Sequence, residues 1–507
     1  MMNEDVNPVG KWLEELRMMT EGECMCILQG KSLVSDKSPP HPVQKIKDGI
    51  DRIREQANII TGDFSKLFRR VEKEKWKHLS YNSLQVTCPI RGLISLSNTY
   101  IPDPPTYIME QEEVVMGECA KLAQQADSFN INTCNSAVLR VRLVNQLTFL
   151  GQSFSRLVDL LLSHLVQSIV MFLEEAETPQ ELNTALSTLI SLGLEGEHMC
   201  YIIAREGGLR VLFDICRSTS LQGSQSQALR AVATICCVTE SILELERVGG
   251  VECVREILCD SRSSEELLGE AAGVIAQITS PCLENYQHIS GFQENMADLV
   301  PALIVLCDAS TKPEVMLLST AALANMTFMD STACELLHQA GAPRVLAKVI
   351  SETKASSLFA KDQVATILAN MAAVEVCRND IVEHRGIELL LSFLHEGPTP
   401  RSSEAELSAC ERVQQKAAIA LTRLSRDAQN ARAVVQQHGM PRLVQLCRDV
   451  HERNDSDAVL VACLAALRKI CSLCGVGDMS LIDVQQLVQP RLMDSFLICT
   501  HRDENFV

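Results

Sequence analysis

Cys471 and Cys474 form the one C-x-x-C pair among 21 cysteines. Such a pair is half of a tetrahedral zinc site. The other half needs a second pair, or histidines at ligand spacing, and the sequence offers neither. The 11 histidines are spread singly. None stands in a Ser, Cys or carboxylate pattern that asks for acid–base or nucleophilic work. P-loop, Rossmann, G-x-S-x-G and H-E-x-x-H patterns are all missing. These spacings predict a non-enzymatic chain without metal or cofactor. The chemistry left to it is binding, by polar side chains at repeated positions, by an acidic and apolar segment near the start, and by a carboxylate after Phe506 and Val507.

The totals narrow what positions those groups. Apolar residues make up 46% and charged residues 22%, which excludes wholesale disorder. Aromatics are only 4%, so the core is built from Leu, Val, Ile, Ala and Cys, which suits closely stacked helices. Net charge is 46 − 64 = −18, and an acidic chain repels phosphate backbones, so no nucleic-acid partner is expected. The densest basic run, "KLFRRVEKEKWK" (Lys66 to Lys77), contains Glu72 and Glu74 at helical spacing and reads as a solvated helix face. The start "MMNEDVNPVG" lacks the apolar stretch of a signal peptide. The cysteines sit in apolar runs such as "ATICCVTE" and "LVQLCRDV", as small buried hydrophobes in a reducing compartment. The segment "LVDLLLSHLVQSIVMFL" (Leu157 to Leu173) carries Asp159, His164 and Gln167 and reads as a buried core helix, not a transmembrane segment.

The body of the chain repeats. "EGGLRVLFDIC", "VGGVECVREIL", "AGAPRVLAKVI", "RGIELLLSFL" and "HGMPRLVQLC" share a glycine followed by an amphipathic run. Gly208, Gly250, Gly341, Gly386 and Gly439 are separated by 42, 91, 45 and 53 residues. The step of 91 is two periods, with "GFQENMADLVPALIVLC" (Gly291 to Cys307) standing in the gap. The step of 53 carries the polar insertion "HEGPTPRSSEAE". Each glycine fits a turn between a short and a longer helix, where φ > 0 or close backbone approach is needed. Before each turn lies a helix rich in small residues, such as "ALRAVATICC", "AAGVIAQITS", "TAALANMTFM" and "VATILANMAA". Each unit has an apolar face that it covers only by stacking.

These half-patterns, at a period near 42 to 45 residues, resemble the armadillo family from about Glu110 to Leu497. The resemblance implies an all-α, right-handed superhelical solenoid with a long concave groove. In that family the asparagine of "LANM" hydrogen-bonds an extended peptide in the groove. The matching positions are Thr234, Gln277, Asn325, Asn370, Arg423 and Lys469. Only two are asparagine. They read either as peptide ligands or as solvated and turn-capping residues. Trp12 and Trp76, the only tryptophans, lie outside the repeats, unlike an importin groove, where tryptophan pairs with asparagine.

Near the start, "KWLEELRMMTEGECMCILQG" (Lys11 to Gly30) places Trp12, Leu13, Leu16 and Met19 on one helical stripe. Glu14 and Glu15 come early and Arg17 late, in agreement with the helix dipole. Gly22 ends the helix, and "CMCIL" suits an extended strand. The prolines of "SPPHP" close the segment. A helix of about nine residues is marginal alone in water and needs a surface. That surface is either the chain's own array or a partner groove. Nine helical residues span about 13 Å and about ten extended ones another 33 Å, enough to cross several repeats of a partner solenoid. Glu14, Glu15, Glu21 and Glu23 call for a basic groove.

This segment resembles the N-terminal motif of the Inscuteable family, adaptors of asymmetric cell division. The shared pattern is tryptophan, an acidic pair, leucine, a basic residue, methionine, then Thr-Glu-x-Glu-Cys-Met. The resemblance implies that Trp12, Leu13, Leu16, Met19, Glu21, Glu23, Met25 and Leu28 contact the TPR repeats of LGN, called Pins in flies. Gly22 stands between the two glutamates where a larger residue is expected. It further implies an armadillo array behind the motif, and a C-terminal ligand for a Bazooka-type PDZ scaffold of the Par polarity complex. Phe506 and Val507 fit that role, although Asn505 stands where a common PDZ class prefers Ser or Thr. The expected location is cytoplasmic with recruitment to the cell cortex.

The expected plan is a flexible TPR-binding linear motif over 1–30, a Pro-rich linker over 31–44 and a helical segment, a candidate N-terminal cap, over 45–107. Armadillo repeats follow over 108–499, then a tail over 500–507. Two other readings share the fold: an armadillo-type regulator or exchange factor of a GTPase, and a catenin-like peptide-binding scaffold. The second would want a basic groove lined with asparagine.

Overall fold

A computed structural model describes residues 42–127, 136–280, 290–352, 357–397, 402–477 and 479–489. They form an all-α armadillo-repeat fold of two compact units, divided between residues 212 and 213. In chain order the first unit holds α1 (Pro42–Glu72), α2 (Leu79–Tyr100), α3 (Thr106–Asp127), α4 (Ser136–Glu175), α5 (Pro179–Gly193) and α6 (Glu197–Arg205). Helix α7 (Gly208–Arg217) spans the boundary.

Helices α1 to α4 make an antiparallel bundle. Helix α1 packs on α2 and α4, and α3 packs on the same two. The apolar spacing fixes its inner face: Ile50, Ile53, Ala57, Ile60, Leu67 and Val71 are buried on α1. The strings "IKDGIDRIREQANII" and "DFSKLFRRVEKEKWKHL" are therefore parts of one helix and a following turn. Glycine in a helix interior costs roughly 1 kcal/mol, yet the buried stripe passes Gly62 without a change of phase. Half of the basic run lies beyond Glu72, in the turn before α2. The expected boundary at residue 107 falls at the start of α3, inside this bundle. Helix α4 is long and apolar enough to cross a membrane by composition. Here Leu157, Leu161, Leu165, Ile169 and Leu173 are buried against neighbouring helices.

The second unit continues with α8 (Gln222–Ile235), α9 (Thr239–Arg247), α10 (Gly250–Cys259), α11 (Glu265–Ile278), α12 (Ser290–Ala309) and α13 (Pro313–Met329). Then come α14 (Ser331–Gln339), α15 (Ala342–Glu352), α16 (Leu358–Ala373), α17 (Glu375–Glu383), α18 (Gly386–Phe393) and α19 (Glu404–Leu424). It closes with α20 (Ala428–Gln436), α21 (Gly439–Arg448), α22 (Asp457–Cys474) and a short turn of helix from Leu481. A nine-residue helix, one of similar length and a long inner one recur as a triplet. The inner helices α8, α11, α13, α16, α19 and α22 stack on one another in sequence.

The expected glycines serve the turn between the first two helices of a triplet in two ways, close approach at Gly208, Gly250, Gly386 and Gly439 and a left-handed backbone at Gly341. The left-handed residue is Gly207, Gly249, Gly341, Arg385 or His438. Gly341 is thus the left-handed residue itself, whereas Gly250 follows one. Gly250 is required for space, since a Cβ there would lie 2.7 Å from Leu245 Cγ and from Phe213 Cε2. Two separate demands, handedness and close approach, therefore produce the doubled glycines of "EGGL" and "VGGV". In the unit with no such turn, Gly291 to Cys307 lies within the single helix α12. The polar insertion ends at a capping box: Ser403 Oγ accepts from Glu406 N at 3.3 Å, and Ser403 N donates to Glu406 Oε2 at 2.8 Å.

Candidate functional site

The six expected groove positions all fall on inner helices, one per helix. Most of them point into the array. Thr234 is buried on α8, and its hydroxyl donates to Arg230 O at 2.9 Å. Gln277 is buried on α11. Asn325 on α13 is half-buried and donates from Nδ2 to Ala276 O of α11 at 3.0 Å. Asn370 on α16 is fully buried and donates from Nδ2 to Thr327 Oγ1 of α13 at 3.1 Å. Arg423 on α19 is buried and donates from Nη1 to Ala369 O at 2.8 Å, with Asn370 Oδ1 at 3.4 Å. Lys469 on α22 is half-buried.

The structure thus joins Thr327, Asn370 and Arg423 in one polar chain across three repeats. Asn325 makes a parallel link one repeat earlier. These groups tie each inner helix to the one before it. Thr234, Gln277, Asn370 and Arg423 are buried, so the solvated reading does not describe them. The cause lies in the helices themselves. Residues 315–324 of α13 and 362–372 of α16 are buried on every side. Small residues let the inner helices close together, and the polar groups between them must then find partners inside.

Beside this chain lies an ionic group that sequence reasoning missed. Asp362 on α16 accepts from Arg412 Nε at 2.9 Å and from Lys416 Nζ at 2.7 Å, both on α19. Asp362 and Arg412 are fully buried, and Lys416 nearly so. Burial pushes the Asp362 carboxyl up, but Lys416 and Arg412 together outweigh it and hold it below the usual carboxylate range. A second pair, Arg230 Nη2 to buried Glu270 Oε1 at 2.6 Å, joins α8 to α11. The available signal was Arg412 and Lys416 one turn apart, entering the apolar run "AAIAL". Nothing in that spacing names Asp362 as their partner, because it lies about fifty residues earlier.

Along the nine-residue helices, His338 of α14 and His384, just past the end of α17, each place Nδ1 2.9 Å from a carboxylate oxygen of Asp380. Cys471 is buried and Cys474 half-buried, and burial pushes the Cys471 thiol up. Among the described residues no three His, Cys, Asp or Glu groups are placed to hold a metal ion. Trp12, Leu13, Leu16, Met19, Glu21, Glu23, Met25 and Leu28 lie outside the described residues, as do Phe506 and Val507.

Two family models match the chain. The Inscuteable LGN-binding domain matches residues 5–38, and the Protein inscuteable C-terminal model matches residues 56–507. The chain belongs to the Inscuteable family. The family's LGN-binding domain encloses all eight of the N-terminal residues named above. Protein inscuteable homolog of Homo sapiens is 40% identical over 515 residues, 99% of this chain and 88% of the relative. That of Mus musculus is 39% identical over the same span. Among solved structures, an engineered protein of a structural genomics consortium is 20% identical. It covers 90% of this Inscuteable-family chain and 89% of its own, with a TM-score of 0.51. That likeness concerns the fold. A computationally designed armadillo repeat protein for modular peptide recognition is 22% identical over 50% of this chain and 99% of its own, with a TM-score of 0.41.

Proposed function

We propose that this chain is a non-catalytic adaptor that links the cortical Par polarity complex to LGN/Pins and the Gα-bound spindle-orientation machinery in asymmetric cell division. The observation that carries the reading is the LGN-binding domain match over residues 5–38. It falls on the one segment whose stripe of Trp12, Leu13, Leu16 and Met19 asks for an outside surface. The N-terminal segment holds the TPR repeats, and the armadillo array with the C-terminal tail holds the polarity scaffold. The chain works in the cytoplasm and is recruited to the cell cortex. Binding, not turnover, is the chemistry available to it. The buried inner helices favour a rigid scaffold over a peptide-lined groove of catenin type.

A pull-down of the full chain with the TPR region of LGN tests the reading. The Trp12→Ala, Glu23→Ala double variant is expected to lose most of the captured partner. Capture at full strength by that variant would remove residues 11–30 from the interface.

A further inference from the structure

The turn from α1 to α2 reads Lys73-Glu74-Lys75-Trp76-Lys77-His78. Glu74 and His78 are left-handed, with φ of 52° and 60°, a conformation that costs energy for residues other than glycine. The turn leaves Lys73, Lys75 and Lys77 exposed around Trp76. Three side-chain links show what else shares this end of the bundle. Arg70 donates to Asn82, and Ser80 donates to Asp127 at the end of α3. Arg140, in the second turn of α4, lies 3.5 Å from Glu74.

The first two turns of α2 and α4 at this end carry Tyr81 (61% exposed), Val138 (56%) and Val141 (55%). Among the described residues of the first unit, no other large apolar side chain is as exposed as these three. The local charge is also reversed. Lys73, Lys75, Lys77, Arg140 and Arg142 face Glu72, Glu74 and Asp127, five cations to three anions, in a chain of net charge −18.

We propose that this end of the bundle docks on the surface of an anionic phospholipid bilayer. The lysines and arginines meet headgroup phosphates, while Trp76, Tyr81, Val138 and Val141 enter the boundary between headgroups and acyl chains. A bilayer fits better than an acidic peptide for two reasons. The groups are spread over a turn and the starts of two helices, whereas peptides are held in grooves. Exposed apolar side chains beside lysine and tryptophan match the layered polarity of a membrane interface. The net charge of the chain, −18, opposes approach of the molecule as a whole to the same surface, so the contact needs a local excess of cations. This contact is separate from residues 11–30 and does not depend on their partner.

Co-sedimentation of the full chain with phosphatidylcholine vesicles, with and without phosphatidylserine, tests the proposal. The chain is expected to pellet with phosphatidylserine vesicles, to remain in solution with phosphatidylcholine alone, and to be released by salt. Each cation near such a surface contributes about a fivefold factor in partitioning. Replacing Lys73, Lys75 and Lys77 together by Glu is therefore expected to weaken binding by roughly 100-fold or more. Val141→Ser, at an exposed site that leaves the core intact, is expected to weaken it several-fold. Partitioning of the triple variant equal to that of the parent overturns the proposal. So does failure of the parent to bind phosphatidylserine vesicles, or its preference for a poly-glutamate peptide over them.

Discussion

Asp362 and Arg412 meet at 2.9 Å between α16 and α19, and neither side chain reaches solvent. Lys416 closes on the other carboxylate oxygen at 2.7 Å. One buried anion thus anchors two cations of the next repeat. Asp362→Ala strands both of them, and breaking a buried pair in this way costs about 3–5 kcal/mol. The variant is expected to show that loss in urea unfolding. The triple replacement Asp362→Leu, Arg412→Met, Lys416→Leu should recover most of it, because apolar packing removes the desolvation cost as well. A single-variant loss below about 1 kcal/mol would remove the group from the stability of the array.

The same carboxylate predicts a pH dependence. Its folded pKa is depressed below the usual 3.8 by Lys416 and Arg412, against the opposing effect of burial. The group's stabilisation is fully present above the unfolded value and is lost as pH falls through the folded value. Urea midpoints measured from neutral pH down into the acid range should fall below the unfolded value. Asp362→Asn should flatten that part of the curve. An unchanged slope in the variant would mean that other carboxylates carry the acid sensitivity.

The turn register predicts opposite effects at equivalent positions. His438 is exposed and left-handed, with φ of 59°. His438→Gly relieves left-handed strain of about 1–2 kcal/mol and gives back about 0.5–1 kcal/mol of chain entropy. A net gain of several tenths to 1 kcal/mol is expected. Gly249, with φ of 69°, is the same position four repeats earlier, and Gly249→Ala should lose about 1 kcal/mol. Thermal melts of the two variants should move in opposite directions.

Asn370 is expected to act in stability. Its amide donates to Thr327 Oγ1 at 3.1 Å inside the array. Asn370→Ala leaves a buried hydroxyl short of a donor and is expected to cost about 1–3 kcal/mol. Capture of the LGN TPR region should not change, since the family's LGN-binding domain match ends at residue 38. A variant as stable as the parent would contradict the internal role.

Raising ionic strength from low to physiological values should weaken the complex with the TPR region. Glu14, Glu15, Glu21 and Glu23 bring four negative charges to it, and exposed charges are screened over about 8 Å at physiological salt. Titration by fluorescence anisotropy with a peptide of residues 11–30 would show this. A salt-independent affinity would leave the apolar stripe as the sole source of binding.

By itself the sequence determined the repeat. Period, apolar phase and small residues are local properties, and they placed the inner helices, the insertion and the family motif. It also gives Trp12, Leu13, Leu16 and Met19 the spacing of one helical stripe, and so short a helix is marginal alone in water. It did not determine which glycine takes the left-handed turn, because two adjacent glycines satisfy handedness and close approach equally well on paper. Only the tertiary structure decided that Asn370 and Arg423 face inward, that Asp362 pairs with Arg412 and Lys416, and that the basic run ends in a turn whose Glu74 lies near Arg140. Each of these depends on how closely stacked helices approach and on residues 40 to 70 positions apart meeting in space. A pattern with a period of a few residues carries no record of such distances.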